Sequence, residues 1–202
     1  MRLAVISPEA LEPREPAVLA RLFAAGLECY HIRKPAVPAA ALENWLQALP
    51  VAWRPHFVLH THHELVARLN LGGRHYREVD AARLPRPSGF ASRACHDLVT
   101  LRSAVGHYDS VLLSPVFPSV SKPGHLPDAR LAHTEIVATL AARTPHERRT
   151  AVLALGGITR ETAPLARDLG FDGVAVLGAI WRAPDPERAF GDLQHALFAH
   201  AA

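Results

Sequence analysis

The sequence predicts a closed (β/α)8 TIM barrel formed by a single domain over residues 1–202, and three observations carry that expectation. Short apolar runs rich in Val, Ile and Leu recur about every 20 to 30 residues, eight in all. The stretches between them carry apolar residues at helical spacing. The first run is not followed by the Gly-x-Gly-x-x-Gly fingerprint of the competing open, doubly wound sheet, and eight regular units suit closure better than that sheet's five or six.

In chain order, the strands are expected at Leu3 to Ser7, Glu28 to Arg33, His56 to His60, Arg74 to Tyr76, Gly89 to Cys95, Ser110 to Ser114, Ala151 to Leu155 and Gly173 to Leu177. Near-continuous apolar character in most of them suits parallel strands covered on both faces. Helices are expected at Pro16 to Ala25, Ala39 to Ala48, Glu64 to Leu69, His96 to Val105, Leu131 to Ala142, Arg160 to Leu169 and Pro186 to Phe198. Asp80 to Ser88, with two prolines and little periodicity, leaves room for only a reduced helix. Most of the 17 prolines fall between elements, where a fixed φ and a missing N–H are tolerated.

Composition narrows the function classes. Hydrophobic residues make up 49% and charged residues 20%, as in a globular enzyme, and no apolar run is long enough to cross a bilayer. The first residues turn polar after four apolar ones, too soon for a signal peptide, so a cytoplasmic location is expected. Cys29 and Cys95 are the two cysteines and read as buried neutral thiols. The net charge of +3 comes from scattered arginines without a basic block, which argues against nucleic acid and for an anionic small molecule. Membrane partners are not expected, and a homo-oligomer is compatible with the sequence.

In such a barrel the chemistry belongs to the loops after strand C-termini. After the seventh strand come Gly156 and Gly157, and after the eighth Gly178, small residues that let backbone amides approach a phosphate. The sixth loop, with Ser119, Ser121 and Lys122, reads as a flap closing over phosphate oxygens. On the second strand His31 and Arg33 share one face, where the arginine can grip an anion or form an ion pair with Glu28 or Asp80. His60, Thr61, His62, His63 and Glu64 end the third strand; lacking a second spaced ligand pair, the cluster reads as structural or capping, Thr61 being a candidate cap. His96 follows the fifth strand at a height suited to proton exchange, with Asp97 either orienting it or capping the next helix.

With these loops in place, the chain resembles the thiamine phosphate synthase and TenI-type thiazole tautomerase superfamily from about Leu3 to Trp181. The resemblance rests on Ser114-Pro-Val-Phe-Pro-Ser-Val-Ser-Lys-Pro-Gly124, Leu155-Gly-Gly-Ile158, Asp172-Gly-Val-Ala-Val176, His31-Ile-Arg33, and Gly73-Arg-His75 ahead of Asp80. It implies a thiazole phosphate ligand cradled by Ser119, Ser121, Lys122, Gly156, Gly157 and Gly178, with His96 in the place of the tautomerase's catalytic histidine. Some synthases also carry a histidine there. In the synthases the second strand reads Gln-Leu-Arg-Glu-Lys and contacts a pyrimidine pyrophosphate. Here His31 and Arg33 hold the Gln and Arg positions and Pro35 replaces the Lys. His60-Thr61 replaces the synthases' Asn-Asp pair, and Asp80 resembles a magnesium carboxylate. Tautomerase-type proton transfer therefore stands ahead of synthase condensation, for which magnesium would be the cofactor and without which no cofactor is implied. A non-catalytic phosphate-metabolite binder is the third reading.

Overall fold

The computed structural model describes residues 1–81, 89–118 and 131–198. Eight parallel strands close into a barrel in sequence order: β1 (Arg2–Ile6), β2 (Cys29–Ile32), β3 (Phe57–Leu59), β4 (Gly73–Tyr76), β5 (Phe90–Cys95), β6 (Ser110–Leu113), β7 (Ala151–Leu155) and β8 (Gly173–Val176). Closure is made by β8 pairing with β1, Ala4 lying opposite Ala175. The helices are α1 (Glu15–Ala24), α2 (Ala39–Gln47), α3 (Glu64–Leu69), α4 (Glu78–Ala81), α5 (Leu98–Ala104), α6 (His133–Ala141), α7 (Ala163–Asp168), α8 (Gly178–Trp181) and α9 (Pro186–Phe198). None of these helices is long and apolar enough to cross a membrane.

Strand alternation divides the core in two. Val5, Tyr30, Ile32, Phe57, Val111, Val152 and Val174 point outward and pack with Leu19, Leu42, Leu101, Ile136 and Phe190 of the helices. Their alternates Ala4, Ile6, Leu112, Ala151, Leu153 and Ala175 fill the interior. The inner layer turns polar on one side. His31 lies opposite Ile6, and His75 lies opposite Ser92, itself opposite Ser110; all four of His31, His75, Ser92 and Ser110 are buried. Side-chain burial at about 25 cal/mol per Å² holds the outer layer together.

Local chemistry explains where several elements begin. Asp97 caps α5, its Oδ1 accepting from the Thr100 amide at 2.7 Å, so α5 starts at Leu98 and not at His96. That bond commits Asp97 to capping rather than to orienting His96. At α3 the expected cap is absent: the helix begins at Glu64 after His63 without a side-chain cap, and the Thr61 hydroxyl is buried without a hydrogen-bond partner among the described residues. The reduced helix expected over Asp80 to Ser88 is the single turn α4, which starts earlier, at Glu78; residues 82–88 lie outside the described residues. Both cysteines are free, and burial pushes their thiols up to about 12 for Cys29 and about 11 for Cys95, which keeps them neutral.

Candidate active site

At the ends of β7 and β8 the backbone is shaped for close approach. Leu155 lies opposite Ala175, so the loops carrying Gly156, Gly157 and Gly178 are neighbours. Gly156 and Gly157 have φ of +92° and +64°, and a Cβ on Gly157 would stand 2.5 Å from the Pro118 carbonyl oxygen. Only glycine fits both constraints. The start of the sixth loop is stitched to this turn: the Val116 amide donates to the Leu155 carbonyl at 3.0 Å, and that of Phe117 to Gly156 at 3.2 Å. Thr162 adds a hydroxyl bond to the Gly157 carbonyl at 2.8 Å. Gly178 opens the one-turn helix α8. Ser119, Ser121 and Lys122 lie outside the described residues.

His96 stands exposed just beyond β5. Its Nδ1–H donates to the Ser114 carbonyl at 3.1 Å, which leaves the lone pair on Nε2. Its backbone amide donates to Glu78 Oε2 at 3.1 Å. Glu78 was invisible as a contributor in the sequence, since only the barrel brings the β4 and β5 ends together. An anchored ring with a free Nε2 is suited to moving a proton at a ligand held over the strand ends.

The β2 side is arranged differently. Arg33 follows β2 and its guanidinium donates to Glu9 of the β1–α1 loop, with its side chain 43% exposed; the ion-pair partner is thus neither Glu28 nor Asp80. The Lys34 and Glu15 side chains are fully buried against each other: Lys34 Nζ donates to Glu15 Oε2 at 2.8 Å and to the carbonyls of Ala10 at 2.8 Å and Pro8 at 3.1 Å. The Tyr30 hydroxyl donates to the other Glu15 oxygen at 2.6 Å. Burial raises the Glu15 carboxyl above its ordinary range, while its bonds to Lys34 and Tyr30 pull the other way. The network ties the first loop to β2, and removes Lys34 as a ligand-facing cation.

Between β2, β3 and β4 the barrel interior is lined with imidazoles. His31 Nδ1 lies 3.1 Å from His60 Nε2, and the rings of His60 and His75 stack at 4.1 Å. The sequence reading named His31 and His60 but attached no site role to His75. The alternation of Arg74-His75-Tyr76 carries a signal for its inward direction, but the cross-strand register that brings it to His31 does not show in one strand's sequence. The rest of the His60–Glu64 cluster disperses: His62 bonds the Val37 carbonyl at 2.9 Å, His63 Nε2–H donates to the His75 carbonyl at 3.1 Å, and Glu64 opens α3.

Asp80 lies on α4, where Arg77 donates to both carboxylate oxygens, at 2.6 and 3.1 Å. Magnesium requires several hard oxygen ligands. With Asp80 engaged by Arg77 and His60-Thr61 at the neighbouring strand end, the described residues do not fit a magnesium ion. A cavity of about 350 Å³ lies at the opposite, N-terminal end, lined by Arg2, Glu28, His56 and Phe90 and reaching His31 from below. That end of a (β/α)8 barrel serves stability, so the chemistry is assigned to the strand C-termini.

Comparison with known proteins bears on the same layout. Residues 3–180 match the family model described as thiamine monophosphate synthase. Thiamine-phosphate synthase from Rhodospirillum centenum is 30% identical over 213 residues, covering 97% of each chain. The solved thiamine phosphate pyrophosphorylase from Bacteroides thetaiotaomicron superposes with a TM-score of 0.81 at 26% identity, covering 99% of this chain and 100% of that one. The pyrophosphorylase from Pyrococcus furiosus, at 20% identity and a TM-score of 0.76 over 97% and 95% of the two chains, shares the fold. A match running from the first strand through the last, together with the glycine turn and the β2 arginine in their places, establishes that the chain belongs to the thiamine monophosphate synthase family.

Proposed function

We propose that the protein is a cytoplasmic thiamine-pathway enzyme that binds a thiazole phosphate at Gly156, Gly157 and Gly178 and condenses it with a pyrimidine bearing a pyrophosphate leaving group. The observation that carries this reading is the family match over residues 3–180, which spans both ends of the mouth. The names of the relatives support condensation over proton transfer. In the condensation a carbon–nitrogen bond forms while pyrophosphate departs with the bonding electrons, and a cation must meet the charge that develops on it. Among the described residues Arg33, at the β2 end, is suited to that role by its exposed guanidinium. Magnesium does not fit the described residues, so no step is assigned to it.

A second reading, tautomerase-type proton transfer, is favoured by the β2 side: Lys34 is buried against Glu15, and Asp80 is held by Arg77. That reaction needs only the phosphate turn and His96 Nε2 as the proton carrier. Purified protein supplied with both substrates, and separately with the unaromatised thiazole carboxylate phosphate, distinguishes the readings. Thiamine phosphate formation is the expected result. Tautomer conversion without condensation would replace the first reading by the second. Saturable thiazole phosphate binding with neither turnover would reduce the protein to a binder.

A further inference from the structure

The three histidines inside the barrel are not accounted for by either reaction. They come from three consecutive strands: His31 within β2, His60 just after β3 and His75 within β4. One nitrogen from each lies within 4.8 Å of the others. His31 and His75 are almost wholly buried, while His60 is half-buried.

Hydrogen bonding alone leaves this cluster short of partners. Facing nitrogens of His31 and His60, 3.1 Å apart, share one proton between two neutral rings. Whichever ring donates, His31 Nε2 stays buried without a partner among the described residues. Such an atom costs about 1–3 kcal/mol, and a packing role alone gives no reason to retain it. His75 is better prepared. Its Nδ1 is engaged by the Ser92 hydroxyl at 2.8 Å, which fixes the ring and leaves Nε2 for another partner. Ligating histidines are oriented in this way by a hydrogen bond at the second nitrogen.

We propose that His31, His60 and His75 form a site for a late first-row divalent cation of the Zn2+ and Co2+ type, with three imidazole ligands and a further position open to water or an anionic oxygen. Three neutral nitrogen donors match the preference of these cations and are a poor set for Mg2+ or Ca2+. Metal–nitrogen bonds of about 2.1 Å place donors roughly 3.4 Å apart in a tetrahedron, so the widest separation needs to contract by up to about 1.4 Å. Ring rotation at the half-buried His60 can supply that movement. Metal binding requires the neutral imidazole, whose free lone pair is the donor. The site stands independently of which reaction the protein performs.

The test is metal binding by the full-length, chelator-treated protein, read without an activity assay. Titration with CoCl2 is expected to give one saturable equivalent with the visible absorption of four-coordinate cobalt, displaced by ZnCl2 and not by excess MgCl2. His60→Gln and His75→Gln should each weaken Co2+ binding by roughly 100-fold or more, and Ser92→Ala by about 10-fold. His107→Ala, at an exposed position, serves as the control and should leave it unchanged. Since a buried variant can fail to fold, imidazole nitrogen NMR of the unmutated chain is recorded as well; Zn2+ should move the signals of three histidines only. Absence of saturable Co2+ binding, undiminished binding in His60→Gln, or Zn2+-induced shifts spread over the exposed histidines would overturn the proposal. None of these outcomes bears on thiazole phosphate turnover.

Discussion

The two sides of the barrel mouth are built from opposite materials. On the β7–β8 side the working parts are backbone: two glycines with positive φ, clamped to the start of the sixth loop by main-chain hydrogen bonds and lacking room for a Cβ. On the β2–β4 side they are side chains: an exposed arginine, a buried lysine pair and an imidazole cluster. A backbone-built turn depends on few side-chain identities and reads clearly as a motif. A side-chain-built site can change its donor set from oxygen to nitrogen while the strands beneath keep their positions, because Phe57, Leu59, Tyr30 and Ile32 pack outward irrespective of what points inward. The same barrel framework therefore carries two sides built on different principles.

The largest effect that would sharpen this contrast is catalytic. His96→Ala, between the two sides, is expected to lower tautomerase-type conversion by roughly 10²- to 10⁴-fold while thiazole phosphate affinity changes little; steady-state kinetics beside calorimetric titration decides it. Unchanged turnover would remove His96 from the reaction. Next comes Lys34→Met, which strands a buried carboxylate at Glu15 and should destabilise the fold by about 3–5 kcal/mol in urea denaturation. A loss below about 1 kcal/mol would mean that the pair behaves like a surface bridge.

On the other side, Gly157→Ala must adopt a left-handed φ and push its Cβ against two backbone carbonyls, of Phe117 and Pro118, at a cost of about 3 kcal/mol. Gly89→Ala is its control, since its φ of +92° is equally unfavourable but no described residue lies within 4 Å of the new Cβ. The expected loss there is about 1 kcal/mol, and equal losses at the two sites would refute steric clamping of the glycine turn.

The last effect is gradual, a slope in pH. Burial lowers His31 from 6.5 to about 4, so between those values the unfolded chain takes up a proton that the folded chain refuses. The contribution is fully present above about pH 6.5 and is lost as pH falls towards 4, at up to about 1.4 kcal/mol per unit. His60 and His75, lowered in the same direction by burial, steepen the loss. His31→Gln should flatten the dependence of the urea midpoint between pH 6.5 and 4; an unaltered slope would show that the ring does not remain neutral in the fold.

Much of this was legible before any coordinates. The eight alternations, the glycine turn after β7 and the position of His96 follow from local patterns, since strand period, helix period and positive φ are properties of a few neighbouring residues. The observed strands fall within or beside the expected ones; β4 gains Gly73 at its start, and β3 shortens to Phe57–Leu59 because a 3-10 turn occupies Val51–His56. Local pattern failed where two signals competed for one residue, as at Asp97, whose cap geometry overrides its neighbourhood to His96. It failed at Thr61 for a related reason: the helix begins two residues later than a cap there requires.

The sequence by itself thus determined the strands, their inward and outward faces, and the turns that only glycine can make, because these depend on short-range sterics and burial. The tertiary structure alone decided that Lys34 turns to Glu15, that Glu78 meets the His96 amide, and that His75 joins His31 and His60. Each of those meetings spans a strand-to-strand register. A register is fixed by closure of the whole barrel, and no single segment carries it.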